Sequence, residues 1–179
     1  APMTKNLLDL LDHLDTFVVV PHNDFIFKFA KEEAAVLQVY ALPLADEAYR
    51  QYVQRYGLTP KGPILVEVFP DSDDFAVRTL GLPGLEGALG ACFGRVVTMD
   101  SPAARVQHDF SWQATMWHEL AHVFSLQASD YRVPRWLTEG ISVYEEYKRQ
   151  PAWGRELALE YAHELGEGRT FGVKKLPQA

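Results

Sequence analysis

The chain has a single cysteine, Cys92, so no internal disulfide is possible and its redox compartment stays open. Long apolar runs are also missing. Nothing approaches the ~20 residues of a membrane span, and no signal peptide opens the chain. Ala1-Pro2-Met3 is compatible with a processed start, and in that case the lack of a signal carries no information. Positive charge is scarce: 17 Lys and Arg stand against 24 Asp and Glu, a net charge of −7. That balance argues against nucleic acid or an anionic membrane as the main partner. There are no internal repeats and no low-complexity tracts. What remains is ordinary for a globular protein, with 47% hydrophobic and 23% charged residues over a length of 179. The expectation is a single domain, 1–179, with an upper lobe of about 1–124 and a lower helical lobe of about 125–179.

Taken in order, residues 4–15 read as a short amphipathic helix or turn. Residues 16–20 and 25–29 form a strand–turn–strand pattern around Pro21-His22-Asn23-Asp24, with His22 a solvated turn residue. Residues 31–56 read as one long helix, or two broken near Pro43, with Gly57 as the stop. A buried strand follows over 62–69, a short helix over 73–80, an irregular glycine-rich stretch over 81–90 and one strand over 91–100. Residues 103–110 are a loop. A helix covers 111–124, a connection 128–134, a second helix 137–148 with Thr138 as its N-cap, and a last helix 155–165.

The informative stretch is Trp117-His118-Glu119-Leu120-Ala121-His122-Val123-Phe124. On a helix, residues four apart share a face, so His118 and His122 present two imidazoles to one metal ion. Glu119 is turned by about 100° around the same helix, where it reaches a metal-bound water without being a ligand. Zinc suits the set, because it takes neutral imidazole and carboxylate in tetrahedral geometry and leaves a fourth position open. Apolar residues recur at helical spacing across 111–124 with no Pro or Gly, which marks a buried helix.

A third ligand decides the class. The metzincin pattern needs Gly at 125 and His at 128, where this chain has Ser125 and Ala128. The Gly-Thr-x-Asp of an aspzincin is absent, and the flanks of Cys92 do not match a deformylase, so Cys92 reads as a buried structural residue. Glu139 opens a helix after Trp136-Leu137 and precedes Gly140, which lets a second helix aim its carboxylate at the first.

His118-Glu119-Leu120-Ala121-His122 with Trp136-Leu137-Thr138-Glu139-Gly140-Ile141-Ser142-Val143-Tyr144-Glu145-Glu146 resembles the gluzincin metallopeptidases, nearest the peptidase-MA-like domains, and shares its Trp-Leu-x-Glu-Gly form with the M1 aminopeptidases. The resemblance covers roughly residues 111–147, and the connection 123–138 is slightly shorter than in M1 enzymes. It implies an α+β, zincin-like fold: a small, mostly antiparallel twisted sheet, an active-site helix and a short helical lower lobe. It also implies zinc held by His118, His122 and Glu139, with Glu119 as general base. Glu146 is placed as the partner of a ligand-imidazole N–H, with Glu145 its rival, and Tyr144 is expected in the core.

The implied reaction is zinc-dependent hydrolysis of a peptide bond in a peptide or protein substrate. The oxyanion donor is open among His108, Tyr131 and Tyr161. The resemblance places the substrate-pairing edge strand in 90–98. M1 enzymes carry an acidic anchor for the substrate amine there, whereas this chain has Gly87-Ala88-Leu89-Gly90-Ala91, with Glu86 nearby. An endopeptidase is therefore favoured over an M1-like aminopeptidase. The other reading is a latent or non-cleaving zinc-binding domain of a larger protein, and residues 170–179 are a candidate restraint across the cleft. His163-Glu164-Leu165-Gly166-Glu167 imitates the motif but ends in Glu and holds a helix-breaking Gly; it reads as a solvated helix end, and His13 as a surface residue. An extracytoplasmic location is favoured by the resemblance alone, and oligomeric state is left open.

Overall fold

The computed structural model describes residues 2–85, 87–105, 110–170, 172 and 175. It is an α+β fold with a mixed five-stranded sheet and six α-helices among the described residues. In chain order these are α1 (Pro2–Leu14), β1 (Val18–His22), β2 (Phe25–Phe29), α2 (Lys31–Tyr56), β3 (Ile64–Phe69), α3 (Ser72–Leu80), β4 (Gly90–Phe93), β5 (Val96–Asp100), α4 (Trp112–Ala128), α5 (Arg135–Arg149) and α6 (Arg155–Gly166). Single 3-10 turns lie at Pro102–Arg105 and Pro151–Gly154.

The sheet order is β1-β2-β3-β5-β4. The outer pairs, β1/β2 and β5/β4, are antiparallel, while β2/β3 and β3/β5 are parallel. This corrects the expectation of a mostly antiparallel sheet. The reason is the connections: α2 between β2 and β3 is long enough to carry the chain back to the start of a parallel neighbour. A second correction concerns 91–100, which is a hairpin rather than one strand. Gly94, at φ 69°, turns the chain between β4 and β5.

Side-chain alternation gives the sheet two covered faces. Phe25, Phe27, Phe29, Val66, Val68, Val97 and Met99 point to one, where α2 and α4 pack. On the other, Phe69 meets Leu10, Leu14, Phe17, Phe75 and Val77 from α1, α3 and the α1–β1 connection. α2 turns a stripe of Ala34, Ala41, Ala45 and Ala48 inward with Leu37 and Tyr52, and the small residues let it lie close. It runs unbroken through Pro43. The carbonyl that Pro43 leaves without its helical partner belongs to Val39, an exposed residue, so water can satisfy it. Gly57, at φ 62°, ends the helix as read from the sequence.

α4 starts at Ser111, whose Oγ accepts from the Ala114 N–H at 3.2 Å. It is buried on nearly all sides, between the sheet, α2 and α5. α5 begins at Pro134, so Thr138 is not its N-cap but lies inside the first turn. Tyr144, expected in the core, is 54% exposed on the outer face of α5. None of the described helices is long and apolar enough to cross a membrane.

Candidate metal centre

Three side chains from two helices meet at the open side of α4. His118 Nε2 lies 3.0 Å from His122 Nε2, and Oε2 of Glu139 lies 3.2 Å from the first and 3.5 Å from the second. Four-coordinate zinc with bonds of about 2.0–2.1 Å requires ligand atoms about 3.3–3.4 Å apart. The three distances bracket that value, so the donor set fits a zinc ion in both chemistry and spacing. Glu119 also brings a carboxylate oxygen within 4.8 Å of the two imidazoles. The oxygen within 3.5 Å of both ring nitrogens, however, is Glu139 Oε2, which makes Glu139 the better placed candidate for a third ligand.

Hydrogen bonds at the far side of each ring fix its tautomer. His118 Nδ1–H donates to Glu146 Oε1 at 2.5 Å. His122 Nδ1 lies 2.7 Å from Thr138 Oγ1, which lies 2.6 Å from Ser125 Oγ. Ser125 Oγ is also within reach of the His122 carbonyl at 3.3 Å; if its proton goes there, Ser125 accepts from Thr138 and Thr138 accepts from the imidazole N–H, the order that a metal ligand at Nε2 requires. In that order, with both imidazoles neutral, each ring presents the lone pair of Nε2 on the side of Glu139. Glu145, the rival of Glu146, is buried elsewhere: it accepts from Tyr56 Oη at 2.6 Å and pairs with Arg55.

Glu119 is buried beside β4. A Cβ on Gly90 would stand 2.7 Å from Glu119 Cγ, 2.8 Å from its Oε1 and 2.9 Å from Thr115 Cγ2, so only glycine lets the strand approach this closely. Burial pushes the Glu119 carboxyl up to about 7, with His118 pulling down and the charges of Glu139 and Glu146 adding to the rise. Burial, then the neighbouring His118, pulls His122 down to about 4. Burial also lowers His118, but its bond to Glu146 and the surrounding carboxylates outweigh that and raise it above the ordinary imidazole value. One ring is thus held neutral, and the other sits among acids.

His118, His122, Glu139 and Glu119 open onto a cleft of about 1100 Å³, walled by β4 on one side and the start of α5 on the other. Arg135 lines it, with Nε 3.5 Å from Glu139 Oε1. Cys92 lines it too, and burial pushes its thiol well above its usual range, which keeps it protonated and unreactive. Of the three oxyanion-donor candidates, Tyr131 borders a different cavity, Tyr161 is 62% exposed on α6 and is not among the residues lining the cleft, and His108 lies outside the described residues, as does Glu86. His13 and His22 are each paired with a carboxylate, Asp74 at 2.5 Å and Asp46 at 2.8 Å. The His163-Glu164 decoy is on α6, where Glu164 pairs with Arg169 in solvent.

Sequence reasoning missed three contributors. Thr138 was given to a helix cap, Gly90 to the end of an irregular stretch and, by the resemblance, the start of the edge strand with no contact to Glu119, and Arg135 to no role. The nearest sequence signal is their position, since Thr138 directly precedes Glu139, Arg135 stands one helical turn before it, and Gly90 closes the glycine-rich stretch. No family model, curated protein or solved structure matches the chain.

Proposed function

We propose that this protein is a zinc-dependent peptide-bond hydrolase of gluzincin type, and that it cleaves within chains rather than at an amino terminus. The observation that carries the reading is the convergence of His118 Nε2, His122 Nε2 and Glu139 Oε2 at zinc-ligand spacing beside the buried carboxylate of Glu119. A zinc ion held by these three residues supplies Lewis acidity, acidifying the attacking water and polarising the scissile carbonyl.

The chain's own residues do the rest. Glu119, whose carboxylate lies beside the two imidazoles, is placed to take a proton from water and return it to the departing amine. β4 is the last strand of the sheet, and its free edge can pair with an extended peptide. Gly90, against which Glu119 lies, sets the reacting bond opposite the start of that strand. Arg135, a guanidinium lining the same cleft, serves in this reading as donor to the developing oxyanion. The described wall over 87–93 carries no carboxylate to hold a substrate amine, which favours internal cleavage.

The test is hydrolysis of a mixed fluorogenic peptide pool by the zinc-loaded protein, with Glu119→Gln and chelator controls. Cleavage at internal bonds, abolished by both controls, supports the reading. Zinc binding without any cleavage would replace it with a non-cleaving zinc domain.

A further inference from the structure

A second cavity of about 480 Å³ lies at the tip of the β4–β5 hairpin, lined by Leu58, Lys61, Gly62, Arg95, Gln127, Asp130 and Tyr131. Its chemistry is the reverse of the catalytic cleft. The cleft gathers Glu119, Glu139 and Glu146, whereas this cavity is bordered by two cations in a chain of net charge −7. Among the described residues, neither Lys61 nor Arg95 has a carboxylate within ion-pair distance. The acid at the rim, Asp130, is engaged by Arg132 at 3.2 Å.

The floor is set for a polar guest. Gln127 Oε1 accepts from the Lys61 backbone N–H at 3.1 Å, and among the described residues its buried Nε2 has no partner. An amide donor left without an acceptor is unfavourable, and a small shift of Gln127 toward a guest in the cavity would satisfy it. The end of α4 is bent to shape the wall: Asp130 and Tyr131 both take positive φ, 50° and 60°, and the Tyr131 N–H closes back on the Leu126 carbonyl at 2.7 Å. That brings Tyr131 onto Gly94, where a Cβ would stand 3.1 Å from its Oη. The Arg95 guanidinium lies over Gly62 in the same way. Three kinds of donor (guanidinium or ammonium, amide and phenol) therefore border one pocket, a set that matches a carboxylate.

The position gives this pocket a meaning. Phe93 lines the catalytic cleft and Arg95, two residues on, lines the second cavity. A peptide laid along β4 from Gly90 passes Phe93 after about 10 Å, roughly three residues at strand spacing. The geometry points to this cavity as a subsite for an acidic residue, or a terminal carboxylate, of the peptide bound on β4. The proposal rests on the peptidase reading and names its substrate class: peptides with an acid about three to five residues from the cleaved bond, on the Phe93 side.

The test uses a neutral peptide that the zinc-loaded protein cleaves, and analogues with one Glu or one Lys at each of several positions on both sides of the bond. Wild-type protein should show a roughly three- to tenfold higher kcat/KM for Glu at one register on one side only. The double variant Lys61→Glu/Arg95→Glu should lose that preference and favour Lys at the same register, each rate being read relative to that variant's own rate on the neutral peptide. Equal rates for Glu, Lys and neutral peptides, or a preference that survives the charge reversal, would overturn it. If no peptide is cleaved, the peptidase reading fails on its own. Fluorescence anisotropy of the same peptides on Glu119→Gln then decides the subsite: tighter binding of the Glu peptide, lost in the charge-reversed background, supports it, and equal binding contradicts it.

Discussion

At the scale of single residues, the centre is set less by its ligands than by what stands behind them. Thr138 matters because its hydroxyl stands 2.7 Å from His122 Nδ1 and 2.6 Å from Ser125 Oγ, where accepting from the imidazole leaves Nε2 its lone pair. Thr138→Val keeps the shape and removes the acceptor. Zinc affinity should fall about 10–100-fold, with the circular dichroism spectrum unchanged, in a competition titration against a chelator of known affinity. Glu119 gives a pH prediction for the metal-free protein. Its folded value of about 7 is above the ordinary 4.5, so the folded state holds the proton more tightly than the unfolded chain. The stability it contributes is complete below 4.5 and is lost as the pH rises through 7. Glu119→Gln should therefore melt at the same temperature as wild type near pH 4.5 and at a higher one above pH 7. A constant difference across that range would contradict the buried-carboxylate account. Helical spacing put His118, Glu119 and His122 together, and the resemblance singled out Glu139 and Glu146, which the structure brings within 3.2 Å and 2.5 Å of His118. Thr138 and Arg135 were not legible, because a hydroxyl's or guanidinium's partner depends on how two helices meet.

At the scale of elements, the decisive meeting is α4 against β4. The strand reaches Glu119 only because Gly90 has no side chain, so the proposed general base and the proposed substrate-pairing edge share one contact. Gly90→Ala must displace either the strand or the carboxylate. It should cost about 1–3 kcal/mol in urea unfolding and lower kcat/KM by more than that loss of stability explains at temperatures where the protein stays folded. Near-wild-type turnover would show that the contact is dispensable. Strand and helix positions followed from periodicity, and α2 and its stop were read with little error. The split of 91–100 was not, since a glycine inside an apolar run marks a turn, a bulge or a close approach equally well. The parallel central pairs were missed for a similar reason: strand direction is set by where α2 and α3 cross the sheet, which the strands' own residues do not encode.

At the scale of the whole molecule, one buried group ties three helices together. Glu145 on α5 pairs with Arg55 and accepts from Tyr56 on α2, while its backbone carbonyl accepts from Trp117 Nε1 on α4 at 3.1 Å. Glu145→Ala leaves a partly buried guanidinium without its acid and should cost about 2–4 kcal/mol of global stability, read by chemical denaturation, with zinc stoichiometry preserved. The sequence suggested Glu145 and Glu146 as rivals for the metal centre; adjacent helix positions point about 100° apart, and the fold sends one to the site and the other to the core. The central claim is that His118, His122 and Glu139, and not Glu119, form the ligand set. The measurement that tests it most directly is bound zinc per chain after metal loading and exhaustive dialysis, for wild type, Glu119→Gln and Glu139→Ala. The account predicts about one zinc in the first two and strong depletion in the third. Zinc retained by Glu139→Ala and lost from Glu119→Gln would contradict it.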